Sequence, residues 1–134
     1  MEKKLDISVI SPVFNELENL ETFVESVTAV MNSTNMNWEL IIVDDGSDDG
    51  SSKILKKIGH QENIRSILLS KNYGQTTAIQ AGFDNAVGKY FVTLDSDLQN
   101  DPKDIPMLIK KLINEELDLV VGWRKDRKDN YFFR

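Results

Sequence analysis

The chain has no cysteine among its 134 residues, which excludes disulfides, thiolate zinc sites and a cysteine nucleophile. Its single histidine, His60, lies in the polar stretch Gly59-His60-Gln61-Glu62 and reads as a surface residue, so no Ser-His-Asp arrangement can be built. Glycine is scarce where a dinucleotide fold would need it. The turn after the first apolar run is Ser11-Pro12-Val13-Phe14-Asn15-Glu16, with neither G-x-G-x-x-G nor a P-loop. No apolar run approaches the roughly 18 residues of a membrane span. The opening Met-Glu-Lys-Lys-Leu-Asp-Ile lacks the apolar core of a signal peptide. Basic residues are outnumbered 16 to 22, for a net charge of −6, which argues against a nucleic-acid surface. These deficits together describe a soluble, cytoplasmic protein.

What is present alternates. Short apolar runs at 7–11, 39–43, 64–69, 90–94 and 118–122 read as strands, the first closed by Pro12. Between them lie segments of helical period. In the first, Leu17, Leu20, Phe23, Val24, Val27, Val30 and Met31 form one face, with Asn15 as the natural N-cap. Residues 51–58 read as a short helix. Residues 76–87 read as another, whose Ala78, Ala81, Gly82 and Ala86 permit close packing on a sheet. Pro102 fits the first turn of a further helix capped by Asp101, with Ile105, Leu108, Ile109, Leu112 and Ile113 facing inward and Pro106 early enough to be tolerated. From Trp123 on, the chain is basic and aromatic (Trp123, Lys125, Arg127, Lys128, Tyr131, Phe132, Phe133), either a solvated tail or a patch for anionic phosphates or a membrane face. Strands alternating with helices predict an α/β fold with a mainly parallel sheet flanked by helices, in one domain.

In such a sheet, ligands gather at the carboxyl ends of the strands. There the sequence places Asp44-Asp45-Gly46-Ser47 and Asp95-Ser96-Asp97-Leu98-Gln99. A carboxylate after the second strand can accept from a ribose hydroxyl or a base N–H, and Gly46 permits close backbone approach. A turn capped by Ser47 or Asp48 is the competing reading. A calcium loop fails, because Lys56 stands where a bidentate Glu is required. Two hard carboxylates one residue apart, Asp95 and Asp97, suit Mg²⁺ or Mn²⁺ shared with a substrate's phosphates. With no glycine-rich phosphate loop, phosphate charge has to be met some other way, which favours such an ion.

The segments Ser8–Glu16, 42–47 and 95–99 resemble, in order and spacing, the inverting GT-A glycosyltransferases of the family 2 type. Lys71-Asn72-Tyr73-Gly74, the D-x-D-x-Q form and Val121-Gly122-Trp123-Arg124 resemble most the polyprenyl-phosphate sugar transferases, that is dolichol-phosphate mannose synthases and bactoprenol-phosphate glucosyltransferases. The resemblance covers nearly the whole chain. It implies a GT-A nucleotide-sugar-binding (Rossmann-like) domain over residues 1–134, shortened at its C-terminus relative to that branch. Pro12, Phe14 and Glu16, with Asp45, would line the base and ribose, and Asp44 would support them. Asn15, Gly46, Ser47, Lys71, Asn72, Gly74 and Ser96 would complete the nucleotide site. Asp95 and Asp97 would hold Mg²⁺ or Mn²⁺, with Gln99 beside them; Arg124, and Arg134 as a second arginine, would reach phosphate. The implied activity is metal-dependent transfer of a hexose from a UDP- or GDP-sugar to polyprenyl phosphate with inversion, at the cytoplasmic face of the membrane in a longer protein. The alternatives are transfer to a saccharide hydroxyl and a non-catalytic nucleotide-sugar-binding module. An anionic acceptor needs no strong general base, which fits the single histidine.

Overall fold

The structure, a computed structural model, describes residues 4–96, 101–115, 119–122 and 131–133, the last two segments as backbone strands. Six strands form one sheet: β1 (Ile7–Val13), β2 (Trp38–Asp44), β3 (Ile64–Leu68), β4 (Tyr90–Thr93), β5 (Leu119–Gly122) and β6 (Tyr131–Phe133). Their order is β3-β2-β1-β4-β5-β6, with every neighbouring pair parallel except β5 and β6. The expected parallel α/β sheet is thus present. The antiparallel β6 falls in the stretch read from sequence as a tail. Three residues are too short for periodicity to reveal, and their pairing with β5 is what defines them as a strand.

The helices are α1 (Leu17–Asn32), α2 (Ser51–Ile58), α3 (Gln75–Asn85) and α4 (Ile105–Asn114), the last preceded by a 3-10 turn, Pro102–Asp104. On one face, β1, β2 and β4 bury Ile7, Val9, Val13, Leu40, Ile42, Val92 and Leu94 against α1, α2 and α4. The other face is thinner: Ile10, Ile41 and Val43 pack against Ala78 of α3, with Phe83 stacked on Phe91 at 5.7 Å. Gly82 allows this, because a Cβ there would lie 2.4 Å from Ile10 Cγ2.

Several local expectations are corrected. Pro12 does not close β1, which runs on to Val13. Leu94 N–H donates to Ile10 O at 3.0 Å, whereas Val13 O accepts from Asp45 N–H at 2.8 Å. Even-numbered residues of β1 therefore face β4, which has ended by Thr93, and the N–H that Pro12 lacks forfeits no ladder bond. Asn15 is not the cap of α1, whose N-cap position is Glu16 without a side-chain bond. Leu17 and Ile113, placed by period on inward faces, are 41% and 42% exposed, each in the terminal turn of its helix. The helix expected over 76–87 starts at Gln75 and stops at Asn85. Asp101 does cap, but its carboxylate accepts from Lys103 N–H at 2.9 Å to start the 3-10 turn rather than α4 itself.

Candidate donor-binding cleft

At the carboxyl ends of β1, β2 and β4 an open cleft of about 160 Å³ is lined by Pro12, Val13, Phe14, Glu16, Asp45, Gln75, Asp95 and Ser96. Phe14 is 46% exposed at its mouth. The parallel register brings these residues together, since Val13 lies beside Asp44 and β4 runs into Asp95 alongside β1. Ser96 is buried and donates its hydroxyl to Pro12 O at 3.3 Å, tying the two strand ends. Glu16 accepts from Asn19 Nδ2 at 3.1 Å.

Behind this lining stand two hydrogen-bond networks. The first starts from buried Asp44. It accepts from Ser47 N–H at 3.3 Å, from the Ser47 hydroxyl and from Ser52 Oγ at 2.6 Å. Ser47 Oγ then accepts from Asn15 N–H at 2.9 Å, and Asn15 Oδ1 from Asp48 N–H at 2.9 Å. Asn15 is thereby clamped from both sides at φ 54°, a left-handed conformation asparagine tolerates. Next to it, Asp49 Oδ2 accepts from Leu17 N–H at 3.1 Å and Oδ1 from Ser51 N–H at 3.0 Å and Ser51 Oγ at 2.6 Å. Desolvation pushes the Asp49 carboxyl up, but the bonds from Ser51 and Leu17 outweigh it and hold the carboxyl below its ordinary value. The helix-capping role that the sequence offered to Ser47 or Asp48 belongs to Asp49.

The second network starts from Asp45, 4% exposed. Its Oδ1 accepts from Tyr73 N–H at 2.7 Å; its Oδ2 accepts from Gly74 N–H at 2.9 Å and Asn72 Nδ2 at 3.2 Å. Gly46 is required here, with φ 75° and the position of its missing Cβ 2.3 Å from Lys71 C. The close approach that glycine permits is thus to the 71–72 backbone. Lys71 Nζ sits 5.2 Å over the Tyr73 ring. Gln75 Nε2, finally, donates to Asp95 Oδ1 at 3.1 Å.

Of the residues singled out in the sequence, the cleft wall holds Pro12, Phe14, Glu16, Asp45, Asp95 and Ser96. Asn15, Asp44, Gly46, Ser47, Asn72 and Gly74 support that wall from behind. Asp97, Gln99, Trp123, Arg124 and Arg134 lie outside the described residues. His60 is exposed at the end of α2, away from the cleft lining, and Trp38 packs in the core with Nε1 donating to Asn32 Oδ1 at 3.2 Å. Two contacts were not read from the sequence: that of Gln75 with Asp95 and that of Asp49 with Leu17. A signal for Gln75 exists in its position, the first residue after a strand-end loop closed by Gly74. Asp49 carries none, because its Leu17 partner is 32 residues away.

A mainly parallel sheet flanked by helices, with carboxylates from two strand ends at one cleft, is an α/β fold with its candidate site at the carboxyl edge. The chain belongs to glycosyl transferase family 2, to which residues 8–134 match. A dodecaprenyl-phosphate galacturonate synthase of Rhizobium johnstonii is 48% identical over 134 residues, covering 98% of this chain and 40% of that protein. An undecaprenyl-phosphate 4-deoxy-4-formamido-L-arabinose transferase of Salmonella paratyphi A is 42% identical over 128 residues, covering 94% of this chain and 39% of its own. The chain therefore spans about two fifths of the length of these relatives. Among solved structures, a mannosyltransferase from Pyrobaculum calidifontis in complex with GDP-Man and Mn²⁺ matches with a TM-score of 0.71 at 19% identity, over 95% of this chain and 37% of that one. A glucosyl-3-phosphoglycerate synthase from Mycobacterium tuberculosis, with Mn²⁺ and UDP, matches with a TM-score of 0.64 at 24% identity, over 81% and 39%. At these identities the likeness shows the fold.

Proposed function

We propose that this chain forms the donor-binding part of an inverting transferase that moves a sugar from a UDP- or GDP-linked donor to a polyprenyl phosphate. The observation that carries the proposal is the cleft holding Asp45 and Asp95, in a chain 48% and 42% identical to two transferases named for polyprenyl-phosphate products or acceptors. Phe14, at the mouth, offers an aromatic face to a base, and Glu16 offers an acceptor for ribose hydroxyls. Asp45 lies in the wall and braces it, since its oxygens already accept from the Tyr73 and Gly74 N–H groups and the Asn72 amide.

Among the described residues no group of three or more His, Cys, Asp or Glu could hold a metal ion. Mg²⁺ or Mn²⁺ needs only one or two carboxylates, since it keeps waters and completes its shell with substrate phosphate oxygens. Asp95, half-buried in the cleft, supplies such a ligand, and Asp97 follows it by two residues. The bound ion would offset charge on the departing diphosphate.

The reaction is a single displacement. An acceptor phosphate oxygen forms a bond to the anomeric carbon from the face opposite the leaving group. The bond from that carbon to the diphosphate oxygen breaks, and its electron pair leaves with the nucleoside diphosphate. The acceptor oxygen is already anionic, so no side chain has to remove a proton. A lipid-linked acceptor also implies that the protein works at a membrane surface, although no helix among the described residues is long and apolar enough to cross one.

Calorimetric titration with UDP and GDP, each with and without Mn²⁺, tests the donor site. Binding that needs the metal and is lost in Asp97→Asn supports the proposal and names the base; binding of neither nucleotide counts against it. Labelled donor offered to polyprenyl phosphates and to oligosaccharides decides the acceptor, and label found only on sugars would sink the lipid assignment.

A further inference from the structure

Gln75 occupies the first position of α3, directly after Gly74, and its side chain crosses to β4's end to donate from Nε2 to Asp95 Oδ1 at 3.1 Å. Its own backbone is not free to wander. The three residues before it are bonded to Asp45: Asn72 through its amide, Tyr73 and Gly74 through their N–H groups. Gly46 presses on the same loop from below, with no room for a side chain. Asp45 at the end of β2 is thereby coupled to Asp95 at the end of β4 through residues 72–75, and Gln75 is the last link.

The chemistry of an amide is specific at this position. It donates to a carboxylate without neutralising it, so Asp95 is oriented while keeping its full negative charge. A lysine would pair with Asp95 and compete with a cation for it, and an apolar side chain would remove this bond. We propose that Gln75 is a positioning residue for the divalent cation of the donor site: it fixes the Asp95 carboxylate in the orientation that receives the ion. This rests on the metal-dependent nucleotide-sugar reading above.

The experiment compares wild type, Gln75→Met, Gln75→Lys and Asp95→Asn. Free Mn²⁺ is followed by electron paramagnetic resonance during titration into protein with whichever of UDP and GDP binds, against the nucleotide alone. Thermal unfolding by circular dichroism shows that each variant is folded. The expected result is Mn²⁺ binding weakened roughly tenfold in Gln75→Met, the scale of removing an outer-shell partner that orients a metal-binding side chain. Gln75→Lys should lose more. A structural disturbance of α3 would instead lower the midpoint of thermal unfolding along with Mn²⁺ binding, which would overturn the positioning role. Wild-type Mn²⁺ affinity in both Gln75 variants, with loss confined to Asp95→Asn, would overturn the inference and leave the donor site standing. Failure of the wild type to bind Mn²⁺ with either nucleotide would remove both.

Discussion

Asp49 supplies the first turn of α1 with the cap that its own sequence lacks: Oδ2 accepts from Leu17 N–H at 3.1 Å across 32 residues. The same carboxylate takes the Ser51 N–H and hydroxyl at the start of α2. One side chain therefore sets the relative position of the two helices that follow β1 and β2, whose preceding loops flank the cleft.

Asp49→Ala should lower the free energy of unfolding by about 1 kcal/mol, the scale of a lost helix cap, measured by urea denaturation. The pH dependence has a definite sign. The folded carboxyl titrates below its ordinary value, so its contribution is complete above the unfolded pKa and is lost as pH falls through the folded one. The difference between wild type and Asp49→Asn should be constant near neutrality and shrink below about pH 4. A difference that grew on acidification would contradict this.

Gly46→Ala should cost about 2 kcal/mol or more. It combines a positive φ with a Cβ placed inside van der Waals contact of the 71–72 backbone, which is itself part of a packed loop and has little freedom to retreat. Denaturant midpoints report the cost. Amide chemical shifts at Lys71 and Asn72 should move with it.

Replacing Asp45 by asparagine turns one acceptor oxygen into a donor facing the Tyr73 or Gly74 N–H. A loss of about 2–3 kcal/mol is expected from hydrogen bonds to a buried charge. Hydrogen exchange at Tyr73 and Gly74 should accelerate, and nucleotide affinity should fall with it. Retained protection of both amides would show that the loop is held by other contacts.

A control lies at the opposite edge of the sheet. Buried Glu39 accepts from Ser8 Oγ at 2.6 Å, Val87 N–H at 2.9 Å and the Arg65 guanidinium at 2.8 Å. Arg65 is half exposed, so Arg65→Ala should destabilise by about 1–2 kcal/mol, less than a fully buried pair. Nucleotide binding should be unchanged, because the pair is remote from the cleft lining. Altered affinity in this variant would indicate coupling through β2.

The strands and helices were legible because each carries its period: the runs of β1, β2 and β4 and the 3-4 spacing of α1 and α4 are properties of consecutive residues. The edge that carries the candidate cleft was legible for the same reason, since strand ends in a parallel sheet share an edge and the acidic residues follow the apolar runs directly. What neighbours in sequence could not decide was which donor each acidic residue meets. Asp45 and Asp49 look alike as loop carboxylates, yet one holds the 72–74 loop and the other caps two helices, because parallel β1, β2 and β3 bring their following loops side by side. Pro12 continues β1 only because β4 ends early, and the edge strand β6 exists only as the partner of β5. Composition and periodicity thus determined the elements and the edge where the candidate cleft lies. Tertiary packing alone decided the hydrogen-bond partners, since these join residues tens of positions apart.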